Sequence, residues 1–107
     1  MNESGLDRVF QALAHPTRRA LLRRIARREH SISELARPYR VSLEAISQHV
    51  RVLESAGLIK RTRFGRVHRC SFEPAPLRDA AKVLTHLAQF WNLRLDELDA
   101  YLASEDT

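Results

Sequence analysis

The chain has 107 residues, one modest domain's worth, which is too short for a two-domain enzyme. A 44% apolar share beside 29% charged residues excludes the disordered regime, and a single cysteine excludes an intramolecular disulfide. A net charge of +5 points to polyanionic partners.

The charge is unevenly spread. Fifteen basic and four acidic residues lie between Arg8 and Arg69, whereas acids outnumber bases from Cys70 onward. Sixteen of the eighteen basic residues are arginine, whose rigid donor fork suits phosphates and guanine edges. No run approaches the roughly 18 apolar residues of a membrane span. Met1 to Asp7 lacks the basic and apolar regions of a leader, so a cytoplasmic protein without membrane association is expected.

In chain order, Leu6, Val9, Phe10 and Leu13 recur at helical spacing and predict a first helix. His15-Pro16-Thr17 breaks it, and Thr17 is the expected cap of a second helix that buries Ala20, Leu21, Leu22, Ile25 and Ala26. Of the arginines on its other face, Arg18 and Arg19 are the phosphate candidates. A brief extended piece at Ser31-Ile32 leads to an expected cap at Ser33 and a short helix curtailed by Pro38. Ser42 then caps a helix with Glu44 in its first turn and Ile46, Val50 and Leu53 inward, ending at Gly57.

After Gly57 the period falls to two. Residues 58–63 and 66–72 read as strands around a Phe64-Gly65 turn, a basic hairpin. Pro74 and Pro76 introduce a long final helix. Along it Leu77, Ala81, Leu84, Ala88, Trp91, Leu95, Leu98 and Leu102 alternate steps of four and three, a heptad seam suited to a partner helix. Val83, Leu87 and Phe90 form a second stripe expected to face the body. One stripe for the core and one for a partner imply a homodimer.

This order describes a mainly α fold with a small β-hairpin wing, a winged helix-turn-helix in one domain spanning 1–107. The recognition helix falls at about 42–56, the wing at about 58–72 and the dimerisation helix at about 76–103. With Ile46, Val50 and Leu53 inward, Glu44, Ala45, Ser47, Gln48 and Arg51 turn outward near the Ser42 cap, and His49 lies at the border. Gln48 suits adenine, Arg51 guanine or phosphate, and Ser47 either base class. Arg61, Arg63, Arg66, His68 and Arg69 on the hairpin suit a neighbouring minor groove or its phosphates.

The strings Phe10-Gln11-Ala12-Leu13-Ala14-His15-Pro16-Thr17-Arg18-Arg19, Ile32 to Ala36 and Val41 to Ile59 resemble the arsenical-resistance-repressor (ArsR) family of bacterial winged-helix regulators, over roughly residues 6 to 102. The resemblance implies a dimeric transcriptional repressor that binds a double-stranded operator with dyad symmetry and pairs through its first and last helices, including Leu6 and Phe10.

Metal-sensing members of that family carry a cysteine pair ahead of the recognition helix or an Asp, His and Glu set on the last helix. Here the first place reads Ser33-Glu34-Leu35-Ala36, and Asp79 and His86 have no second histidine at ligand spacing. Zinc needs three or four converging ligands, so no metal and no cofactor is expected, and the inducer stays open. Lone Cys70 reads as a small core side chain. Five scattered histidines and three glycines outside any nucleotide loop give no catalytic set, so no enzyme is expected. Two alternatives stand beside the operator reading: a binder of structured RNA, and an interaction module that uses the Trp91 and Leu95 stripe.

Overall fold

The computed structural model describes residues 3–105. Eight elements follow one another: α1 (Glu3–Leu13), α2 (Pro16–Arg27), β1 (His30–Ser31), α3 (Ile32–Ala36), α4 (Leu43–Ser55), β2 (Ile59–Phe64), β3 (Val67–Phe72) and α5 (Ala75–Glu105). The strands form one antiparallel sheet in the order β1-β3-β2, with His30 opposite Cys70 and Ile59 opposite Phe72. The core lies where α1, α2, α3 and α4 meet the base of this sheet. Val9, Leu21, Ile25, Leu35, Ile46, Leu53 and Leu58 are its largest inaccessible aliphatic side chains together with Val50.

Two caps lie two residues before the position expected from sequence. His15, not Thr17, caps α2: its Nδ1 accepts the Thr17 N–H at 3.1 Å, and Pro16 takes the first helical position, where no donor is missed. Ser31, not Ser33, caps α3 through a reciprocal box. The Glu34 N–H donates to Ser31 Oγ at 3.1 Å, and the Ser31 N–H donates back to Glu34 Oε1 at 3.3 Å. Ala26, expected inward, is exposed at the outer edge of the α2 stripe.

At α4 the local signals suffice. Ser42 Oγ accepts the Ala45 N–H at 3.1 Å. Gly57 then ends the helix at φ +75°, with its N–H on the Glu54 carbonyl and the Leu58 N–H on the Leu53 carbonyl, a Schellman closure. A Cβ at Gly57 would also stand 3.3 Å from the Pro76 ring. The hairpin loop is Gly65-Arg66 rather than Phe64-Gly65, because Phe64 pairs with Val67. Within the loop only Gly65 has positive φ, as a two-residue loop with glycine first requires.

α5 departs most from expectation. Its 31 residues extend about 46 Å at the helical rise, and the chain measures 72 × 30 × 22 Å. Ala80 is buried and Val83 half-buried, but every described residue from Leu84 onward is exposed. Leu87 and Phe90, expected against the body, are therefore open: the globular part ends before the helix reaches them. Seam residues Ala81, Leu84, Ala88, Trp91, Leu95, Leu98 and Leu102 are likewise exposed, Trp91 by 62%. Leu6, Phe10 and Leu77 pack, partly buried, on the core of the chain.

The Ser31 N–H holds the Glu34 carboxyl below its usual range, so this contribution to stability is present above that range and is lost as pH falls through the lowered value. Ser31→Ala should lower unfolding stability by about 1 kcal/mol, measured as a shift of the urea midpoint with the slope unchanged.

Candidate nucleic-acid interface

α4 presents a largely polar face because Ile46, Val50 and Leu53 turn its apolar stripe into the core. Ser42, Glu44, Gln48 and Arg51 are exposed on that face, and Ala45 and Ser47 are half-buried. Apolar Val41 and Leu43 also stand exposed at the helix entry. Side chains of this kind suit thymine methyl groups, yet stripe-based reasoning passes over them because they belong to no stripe.

The pleat sorts the hairpin's cations onto two faces. Arg61 lies opposite Cys70 and Arg63 opposite His68, so these share the face that carries core residues Ile59 and Cys70 at its base. Lys60, Thr62 and Arg69 lie on the other face. Arg69 therefore does not join Arg61, Arg63 and His68, although the sequence groups it with them and with Arg66.

Between this hairpin and α4 runs a cleft of about 460 Å³ lined by Ser31, Ser33, Ser47, Arg51, Arg61, Arg66 and His68 among others, with no acidic residue. A second, smaller cleft of about 270 Å³ joins Gln48 and Arg51 to Arg8 and Gln11 of α1. Arg51 borders both. Arg8 belongs with these residues, but its place far upstream in the first helix carried no signal of that proximity.

Several cations face inward. Arg61 reaches across to α4, where its Nη2 lies 3.5 Å from Glu54 Oε1. The contact is an ion pair without hydrogen-bond geometry, and Arg61 Nε and His68 Nδ1 are buried without a hydrogen-bond partner. Arg63 Nε donates to the Gly65 carbonyl at 2.8 Å and stiffens the loop. Arg66 and Arg69 are exposed.

Arg18 and Arg19 close the open end of α1, which has no basic residue in its own last turn. Arg18 donates from Nε to the Ala12 carbonyl at 2.8 Å and from Nη2 to the Gln11 carbonyl at 2.9 Å; Arg19 Nη1 donates to the Leu13 carbonyl at 2.8 Å. Arg24 does the same for α3, donating to the Leu35 and Glu34 carbonyls at 2.9 and 3.0 Å. Helix C-termini expose unpaired carbonyls of partial negative charge, which a guanidinium satisfies in both respects.

His49, the border residue of α4, turns inward. Its ring lies 4.5 Å from that of His15, and its Nδ1 is 3.4 Å from Arg18 Nη1. Burial first, then the His15 and Arg18 charges, lowers its pKa below the ordinary 6.5.

Among the described residues no group of three or more His, Cys, Asp or Glu is placed to hold a metal ion; Asp79 is half-buried and His86 exposed on α5. No described helix is long and apolar enough to cross a membrane.

Comparison with known proteins places this geometry. A helix-turn-helix domain model matches residues 13–62. The HTH-type transcriptional regulator Rv2034 of Mycobacterium tuberculosis is 37% identical over 99 residues, 92% of this chain and 90% of that one. A transcriptional repressor SmtB homolog of Synechocystis is 42% identical over 57 residues, 53% of this chain and 43% of that one. Among solved structures, an ArsR-like transcriptional regulator from Rhodococcus superposes with a TM-score of 0.81 at 32% identity, covering 94% of this chain and 93% of its own. The chain belongs to the ArsR family of winged helix-turn-helix transcriptional regulators.

Cys70 is fully buried on β3, and burial raises its thiol pKa, which Arg61 only partly offsets. A disulfide reagent at neutral pH should therefore label Cys70 only on unfolding, with the labelling rate rising across the denaturant transition.

Proposed function

We propose that the chain is a sequence-specific DNA-binding repressor that acts as a homodimer on a palindromic operator in the cytoplasm. In this reading its one domain divides into a recognition helix (α4), a wing (β2 and β3) and a dimerisation helix (α5). The observation that carries the reading is the juxtaposition of exposed Gln48 and Arg51 with an acid-free cleft bordered by Arg51, Arg61, Arg66 and His68. A helix flanked by a basic hairpin matches the way such motifs enter a major groove while the wing rides on the adjacent backbone.

Pairing through α5 is supported by its exposed Leu84, Trp91, Leu95, Leu98 and Leu102, since monomers rarely leave so long an apolar seam in water. A two-fold axis between two such chains would set the recognition helices about 34 Å apart, in successive major grooves. The repressor sense is supported by the likeness to the Synechocystis transcriptional repressor SmtB homolog.

Selection of bound duplexes from a random pool tests the reading. It should return an inverted repeat with half-sites about one helical turn apart; a pool without enrichment, or equal competition by folded RNA at matched salt, contradicts it. Gln48→Ala or Arg51→Ala should lose about 1 to 3 kcal/mol of discrimination at one half-site position. Arg66→Ala should instead weaken all sequences alike and reduce the slope of log K against log salt by about one.

Because Trp91 is 62% exposed, Trp91→Ala should leave the monomer's fold intact and cost the dimer about 2 kcal/mol or more. Sedimentation equilibrium measures it. A wild-type protein that sediments as a monomer at all concentrations would assign the α5 seam to a different partner.

A further inference from the structure

Resting on the DNA-binding reading above, we propose that His49 is a positioning residue: as a neutral imidazole accepting from Arg18 at Nδ1, it sets the roll of α4 against the α1–α2 connection, so that operator binding requires its unprotonated form.

Three contacts converge on this point. A guanidinium can only donate, so Arg18 Nη1 at 3.4 Å requires a lone pair on His49 Nδ1 and places the ring proton on Nε2. The same guanidinium is held from behind by the Gln11 and Ala12 carbonyls, which leaves it little freedom to follow a displaced α4. His15, whose ring lies 4.5 Å away, is itself fixed because its Nδ1 accepts the Thr17 N–H. α4 is thus tied at one residue to the end of α1 and the start of α2. Gln48, the exposed neighbour of His49, moves whenever that residue does.

Protonation reverses the sign of the contact. It removes the acceptor at Nδ1 and sets a cation against Arg18. The elements packed on α4 are α1, α2, α3 and β2; of their charged and titratable groups, and of His15 on the connection, Arg18 and His15 are those that act on His49. Neighbours one turn away on α4 itself, Ala45, Ile46, Val52 and Leu53, carry no charge. Among the described residues no acid acts on the ring to stabilise the imidazolium. The contact is intact above the ordinary imidazole range and is lost as pH falls below it.

The test compares operator affinity between about pH 7.5 and about pH 5.5 for wild type, His49→Asn and His49→Ala, each confirmed folded by circular dichroism. Asparagine offers an acceptor where Nδ1 was and cannot titrate; alanine offers none. Expected is a wild-type affinity that falls with acidification, by up to about tenfold per pH unit. His49→Asn should bind as wild type does at neutral pH with a shallower profile, and His49→Ala should bind weakly throughout. Superimposable profiles for wild type and His49→Asn, or a wild-type gain on acidification, overturn the inference.

Imidazole nitrogen NMR on the free wild-type protein is an independent readout. An unprotonated Nδ1 and protonated Nε2 at neutral pH support the inference, and the opposite tautomer overturns it with DNA absent. Failure of the DNA-binding reading itself would look different: no variant would prefer an operator at any pH, and the inference would fall with it.

Discussion

The interaction on which the arrangement depends is the capping of helix ends by arginines from another helix. α1 and α3 both finish without a basic residue of their own, and α2 supplies what they lack. Arg18 and Arg19 close α1, and Arg24 closes α3. Each bond joins a charged donor to a carbonyl that would otherwise compete for water, the kind of hydrogen bond worth more than a neutral pair. α2 thereby orients the short α3 that precedes the polar face of α4, while its own apolar edge, Leu21, Leu22 and Ile25, enters the core.

This explains an arginine excess that charge counting assigns wholly to a polyanionic partner. Part of the surplus is internal. Arg24 is committed to α3, Arg28 pairs with Glu34 at 3.3 Å, and Arg61 leans on Glu54 across the gap between hairpin and helix. Arg51 and Arg66 remain exposed at the cleft between α4 and the hairpin. A partner would thus meet a narrower set of cations than the composition suggests, with orientations fixed by the sheet pleat.

What was legible in the sequence was whatever neighbours decide. α4 could be read from Ser42 to Gly57 because both ends are marked by local hydrogen bonding and its stripe is regular. Cap identity was harder: Thr17 and Ser33 have the right chemistry, but His15 and Ser31 hold the right positions, and adjacent candidates differ only in backbone geometry. The hairpin loop lies one residue later than expected, which moves each cross-strand partner by two positions and leaves the strand cations on the same two faces. The contacts of His49 with Arg18 and His15 join residues more than thirty positions apart, with no periodic signature. For α5, spacing revealed two apolar stripes but not where the body stops, which is set by the short sheet and compact helices beneath it.

The closure at Gly57 has a mechanical meaning. Ala56, Gly57 and Leu58 carry the chain from α4 into β2 with no slack, Leu58 is sealed in the core, and the Pro76 ring abuts Gly57. Helix and hairpin are therefore joined at this end without a linker. A duplex lying across both, as proposed, would then supply the compliance by bending or by changing its groove width, an elastic cost that varies with base steps the protein never touches. Rigidity at one glycine would so become a way of discriminating by DNA stiffness.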